Sequence, residues 1–310
     1  MHHSPDSTRA ALLLTNRLVS VEAQPMTARE FWVLVARVDP GLLIDHDARG
    51  IAQLAGLSDD DALRVRTLLD ASTALSFEQE RLADGGITLM SALDDQFPPR
   101  LRQRLAAACP PFLLVAGPLE WLGRPGLGVV GSRDADDDAL TAARESAALA
   151  VRHGWPVVSG LARGVDQVAM ASALDAGGVV VGVPADGLLR ASRNPEVRRR
   201  VHDGELCVVS PYAPDAPFRP GSAMGRNKLV YALSRVTFVV SADDDTGGTW
   251  AGAKESLDRR YAPVAVWAGP GAKAGNHALI RRGAIAVTAL EQLLDVDTAV
   301  EAPPLQESLF

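Results

Sequence analysis

LGVVGSRDADDD (residues 127–138), ALTAARESAALAVRHG (139–154) and WPVVSGLARGVD (155–166) run on without a break, and their reading decides the fold. The first apolar run, 127–130, is short and valine-rich, as a strand buried on both faces should be. It breaks at Gly131-Ser132-Arg133. A helix is predicted from about Asp136, with acids in its first turn, Ala, Leu and Val at helical spacing, and His153-Gly154 at its end. A second strand at 157–159 breaks at Gly160 and feeds another helix. One βαβ unit of this kind opens both strand ends on the same edge, and ligands bind beyond that edge in such sheets. Arg133 and Arg163, with Asp166, are delivered there.

Outward from this unit the rhythm continues. Further strands are predicted at 179–183, 207–210, 236–241, 264–267 and 284–287, with helices between them, and shorter strand or turn pieces lie upstream at 87–90 and 110–117. The alternation gives an α/β class with a doubly wound, mostly parallel sheet covered on both faces. Residues 1–26 show no sustained period and are expected to be flexible. A small helical module is expected over 27–75, opened by a capping pattern at Thr27 to Glu30. The sheet domain then spans 76–295, and 296–310 forms an extended tail. Within the module, Gly56-Leu57-Ser58 resembles half a helix-hairpin-helix; a purely structural cap is the preferred reading.

Composition narrows the function classes. The chain has 310 residues, 47% hydrophobic and 22% charged, with a net charge of −7. Those are the values of a globular protein with ample core, and they argue against a uniformly basic coat, though a local patch can still bind phosphate. No apolar run approaches the roughly 18 residues of a membrane helix. The short run at 10–14 lacks a cleavage pattern, so we expect a cytoplasmic protein. Cys109 and Cys207 sit in apolar context and read as buried thiols of a reducing compartment. Six histidines show no ligand spacing, so neither a metal nor a cofactor is expected.

Five polar stretches follow strands and should meet at one rim. They contain Gly131, Ser132 and Arg133; Ser159, Gly160 and Arg163; Asp186 to Asn194; Gly225, Arg226, Asn227 and Lys228; and Gly247 and Gly248. Glycines let backbone amides approach an anion closely, helix N-termini favour negative charge, and arginines make bidentate phosphate contacts. No nucleophile–base set accompanies them. The rim is built to hold phosphates rather than to cut a bond. Ligand contact is expected for Arg133, Arg163 and Arg226, while Asp166 could pair with Arg163 or Arg133. The Arg198 to Arg200 run reads as a solvated helix face, and Trp250 as core rather than a base-stacking platform. Asp134 and Asp136 to Asp138 would repel a phosphate, so a DNA backbone should pass on the Arg163 and Arg226 side.

The succession GVVGSR, VVSGLARGVD, the Ala173–Gly178 turn, GRNKLVYALS and GNxxLIxxGA (275–284) resembles the DNA-processing protein A (DprA/Smf) family. The Phe-Pro-x-Arg-Leu turn and the Pro-Pro-x-Leu-x-x-x-Gly strand upstream agree in order and spacing. That resemblance implies an extended Rossmann-like fold that binds single-stranded DNA, hands it to a RecA-type recombinase, often works as a homodimer, and has no catalytic turnover. By position, the implied DNA contacts are Gly131, Ser132, Arg133, Ser159, Gly160, Arg163, Arg226, Asn227 and Lys228. Departures mark a divergent branch: Met170 stands where the family usually has His, Ala191-Ser192-Arg193 replaces a Tyr-Pro turn, Ser241 replaces an acid, and no appended winged-helix domain is expected.

An alternative comes from nucleoside-monophosphate phosphoribohydrolases of the wider superfamily, in which a Pro-Gly-Gly-x-Gly-Thr-x-x-Glu loop cleaves a glycosidic bond. Here the loop reads Thr246-Gly247-Gly248-Thr249, and Glu255 falls one residue late, about 100° around a helix. A nucleotide-binding sensor is the version of that reading the residues allow. Finally, Gln306-Glu307-Ser308-Leu309-Phe310 resembles the pentapeptide by which bacterial proteins dock on the DNA polymerase sliding clamp. Leu309 and Phe310 would fill an apolar pocket and Gln306 would hydrogen-bond, with Pro303-Pro304 as tether.

Overall fold

The computed structural model describes residues 3–297. Among them one sheet holds nine strands: β1 (Ile87–Ser91), β2 (Phe112–Ala116), β3 (Gly126–Gly131), β4 (Val157–Ser159), β5 (Val180–Gly182), β6 (Leu206–Ser210), β7 (Ser234–Ser241), β8 (Val264–Trp267) and β9 (Ile285–Val287). Their order is β1-β2-β6-β5-β4-β3-β7-β8-β9. The β1–β2 and β2–β6 pairs are antiparallel, and the pairs from β6 across to β9 are parallel. The sequence reading therefore placed the sheet domain's strands correctly to within a residue or two.

Burial explains why. Strands β2, β4, β5, β6 and β8 are buried at every position, as valine-rich strands of a two-face-covered sheet must be. One face is covered by helices Pro220–Leu233 and Gly247–Arg259, through Leu229, Leu233 and Ala253. The other is covered by Asp137–Arg152 and Val165–Asp175, through Ala139, Ala143, Ala147, Ala169 and Ala173. From β3 the chain winds outward through β4, β5 and β6, then returns to lay β7 on the opposite side of β3. That reversal leaves a crevice beyond the carboxyl ends of β3 and β7. No helix among the described residues is long and apolar enough to cross a membrane.

Helices fall over Ala28–Val35, Ala48–Ala55 and Asp59–Leu69, and a further helix, Ser72–Asp84, runs past the expected boundary at residue 75. Thr27 and Glu30 make a reciprocal capping box, with bonds of 2.7 and 3.3 Å. Helix Ala48–Ala55 ends on Gly56 in the left-handed conformation, and Ser58 caps Asp59–Leu69. These helices bury Phe31, Ile51 and Leu68 in a core that also takes in Leu93 and Phe112 of the sheet domain. The Trp32 indole N–H donates to the Cys109 carbonyl at 2.8 Å, tying the module to the sheet domain. Cys109 and Cys207 are fully buried, and burial pushes both thiols up to about 12.

One expectation is corrected. The first 26 residues are not a flexible lead: Pro5–Thr15 is a helix whose Ala10 to Leu14 run is buried in the module's core. Ser4 caps it by accepting from the Ser7 N–H at 3.1 Å, and Pro5 supplies the preset first turn. The run is apolar all round because it is enclosed all round, so it carries no amphipathic period.

Candidate nucleic-acid interface

All five polar stretches reach the crevice, where they line two adjoining clefts. The first, of about 500 Å³, lies at the switch point between the ends of β3 and β7. The second, of about 620 Å³, lies beyond β4 and β5. Arg133, Ala162, Phe218 and Arg226 line both and mark the junction.

Beneath that junction sits a buried ion pair. Arg226 Nη1 lies 3.7 Å from Asp166 Oδ2, and both side chains are over nine-tenths buried. Asp166 also accepts the Gly160 N–H at 3.0 Å. Burial pushes its carboxyl up, against the pull of Arg226 and the backbone N–H groups of Gly160, Ala162 and Gly131. Burial likewise draws the Arg226 guanidinium down, and Asp166 opposes it. Gly160 is required because a Cβ there would occupy the place of the guanidinium. Gly164, at φ +76°, would drive a Cβ into the Ser132 and Arg133 backbone. Thus VVSGLARGVD encodes a tight wrap around one buried arginine.

The expected contacts then sort by placement. Arg133 and Arg163 are exposed and have no ion-pair partner among the described residues. Arg190 lies 3.5 Å from Asp186 at the lip of the second cleft. Gly131, Ser132, Asn227, Gly247 and Gly248 line the first cleft and Gly160 the second. The Asn227 side chain donates to the Gly248 carbonyl at 3.0 Å, joining two of the stretches. Asp166 pairs with neither Arg163 nor Arg133 but with Arg226.

Other expected contacts have partners inside the protein. Ser159 is fully buried, its hydroxyl donating to the Val129 carbonyl at 2.7 Å. Lys228 lies in neither cleft and pairs with Glu255 at 3.1 Å. It follows Arg226 by two residues on a helix, so it projects from the opposite side. Gly225 accommodates the Tyr212 hydroxyl, which donates to the Ser222 carbonyl at 2.6 Å. Trp250 is core, as expected, with its N–H on Asp245 at 3.2 Å. Arg199 and Arg200 pair with Glu196, Asp203 and Glu205 on a solvated helix, also as expected. The clamp-docking residues Gln306, Leu309 and Phe310 lie outside the described residues.

Three residues of the site escaped the sequence reading. Lys273 reaches in from before helix Ala274–Arg281 and donates to Ser132 Oγ at 3.3 Å and Asp243 at 2.9 Å, bracing one lip of the first cleft. Asp243, past the end of β7, is the second. Phe218 is the third, a half-exposed ring in a proline-flanked loop. Its signal was legible: a phenylalanine between Pro217 and Pro220, in a segment with no apolar period, has no strand or helix face to bury it.

Residues 88–297, more than half of the chain, match the DNA recombination-mediator protein A family. The chain belongs to that family. Protein Smf of Escherichia coli is 32% identical over 212 residues, which cover 67% of this chain and 56% of the relative. The chain spans about half the length of the curated relatives it matches. Among solved structures, DNA processing protein A from Streptococcus pneumoniae superposes with a TM-score of 0.68 at 24% identity, covering 88% of this chain and 98% of its own. DNA processing protein A from Helicobacter pylori, described for its single-stranded DNA binding mode, gives 0.57 at 21% identity, covering 67% and 94%. At these identities the two structures establish the fold, an extended Rossmann-like sheet.

Proposed function

We propose that this protein binds single-stranded DNA at the crevice edge and acts in DNA processing during recombination. One observation carries the reading. Arg133 and Arg163, both exposed and without an ion-pair partner among the described residues, converge with Arg190 on one cleft beyond the ends of the parallel strands. Unpaired guanidinium groups at a concave rim are suited to phosphate oxygens. Family membership and the single-stranded DNA binding mode described for the H. pylori protein support the choice of DNA. Delivery of the strand to a RecA-type recombinase and homodimer formation extend this proposal on the family resemblance, clamp tethering extends it on the likeness of the C-terminal pentapeptide to clamp-docking motifs, and a cytoplasmic setting extends it on the apolar context of the two cysteines.

We infer no bond-cleaving role. Glu255, the residue the phosphoribohydrolase reading needs, is held by Lys228 and by the Tyr261 hydroxyl at 3.1 Å and lines neither cleft. The test is a fluorescence-anisotropy titration of labelled oligo-dT at two salt concentrations, beside a duplex of equal length. Salt-sensitive binding that favours the single strand supports the proposal. No binding at low salt, with release of free base from AMP or GMP, would replace it by the hydrolase reading.

A further inference from the structure

The amino ends of the parallel strands, opposite the crevice, carry a charge pattern of their own. There β4, β3, β7 and β8 lie side by side, with Leu127 opposite Val157 and Gly126 opposite Ser234. Arg124, just before β3, is exposed, and its guanidinium lies 4.6 Å from the centre of the half-buried Trp121 ring. Arg104, on helix Pro99–Leu105, donates from Nη1 to the Ala232 carbonyl at 3.1 Å and to the carbonyl of Ser234, the first residue of β7. Arg100 stands one turn earlier on that helix, and its buried Nη1 has no hydrogen-bond partner. Helix Gly247–Arg259 joins two parallel strands, so it starts at the crevice and ends at the amino edge beside β8. It brings the exposed Arg259 and Arg260 there.

None of these five arginines has an ion-pair partner among the described residues. Glu120 and Asp258 flank them in the chain and pair with none of them. On the β6 side of the same edge the pattern differs, because Arg199 and Arg200 are neutralised by Glu196, Asp203 and Glu205. Burial, with Arg100 close by, draws Arg104 down to about 10, and burial draws Arg100 down too. A helix C-terminus favours a basic side chain, and Arg104 supplies one to helix Pro220–Leu233. That leaves the Arg100 Nη1 without an acceptor. An anion seated against both guanidinium groups would relieve their repulsion and satisfy that N–H.

We propose that this amino edge, from β4 to β8, binds the phosphates of a second nucleic-acid strand, so that one chain holds two strands on opposite edges of its sheet. The choice of nucleic acid rests on the single-strand reading above. Four neighbouring strands about 4.8 Å apart spread the arginines over roughly 14 Å, the length of a few consecutive phosphates. The eight residues of β7 put about 25 Å between this edge and the crevice. That exceeds the Debye length of about 10 Å at 0.1 M salt, so the two strands are screened from each other.

The experiment titrates the full chain at low salt with labelled oligo-dT too short to reach from one edge to the other. Two strands per chain should bind. Arg124→Glu combined with Arg259→Glu should weaken one binding step about tenfold or more and lower its salt slope by about 1.4, for two phosphates left without arginines. The other step should stay within about twofold, which also shows that the variant is folded. Arg163→Ala should do the converse. A single strand per chain in the natural protein overturns the inference and leaves crevice binding standing. Two steps that both ignore the double variant overturn it as well. Displacement of the edge strand by an oligoglutamate of equal charge, as readily as by oligo-dT, would make an acidic protein the occupant and overturn it too. Failure to bind any strand defeats the single-strand reading itself.

Discussion

The clefts on either side of Arg133 are made by the same sheet edge, yet one is basic and the other balanced or acidic. The second gathers arginines from the turns after β3, β4 and β5, of which Arg133 and Arg163 have no ion-pair partner among the described residues and Arg190 pairs with Asp186. The first gathers carboxylates from the turns after β3 and β7, with Lys273 bound to one of them. What separates them is the switch point: strands wound to one side deliver arginines, and the strand returning on the other delivers Asp243 to Asp245. In the proposed binding mode, a protein with a net charge of −7 grips a polyanion because its surface charge is partitioned by topology rather than spread.

The pair beneath the junction should give the largest effect. Arg226→Met removes one partner of the buried pair and should cost about 3 kcal/mol or more in denaturant unfolding. Arg226→Met with Asp166→Leu should recover much of that loss, because no lone buried charge remains. Gly160→Ala displaces the same guanidinium and should cost ~2–3 kcal/mol. An unchanged unfolding midpoint in either single variant would show that the clefts do not depend on the pair. Arg163→Ala, fully on the surface, should leave stability within about 0.5 kcal/mol. It should weaken oligo-dT binding several-fold and lower the salt slope by about 0.7 for each phosphate left without its arginine. Asp243→Asn, in the other cleft, should change affinity by no more than about twofold, since the phosphates pass at a distance.

Much of this organisation was legible in the sequence, for definite reasons. Strands β3 to β9 announced themselves as short valine-rich runs ending in glycine or a polar turn, and the βαβ direction put their loops on one edge. The acidic start of helix Asp137–Arg152 was also readable, with the conclusion that phosphate would avoid it. The helix Pro5–Thr15 was not read, because its enclosed face leaves no period, although Ser4-Pro5 is a start signal. The Arg226–Asp166 pair joins residues far apart in the chain, and nothing local distinguishes it from pairing with Arg163. Lys228 shows the opposite case: helix pitch alone sets it against Arg226, and motif continuity hid that. Lys273 reaches Asp243 only through the folding of β8 against β7.

The most direct test of the charge partition is the salt dependence of oligo-dT binding by the natural protein, Arg163→Ala and Asp243→Asn, measured side by side. The account predicts a strand bound with a negative slope that Arg163→Ala flattens and Asp243→Asn leaves in place. A slope indifferent to Arg163, with an affinity gain of about tenfold or more from Asp243→Asn, would put the phosphates in the first cleft and contradict it.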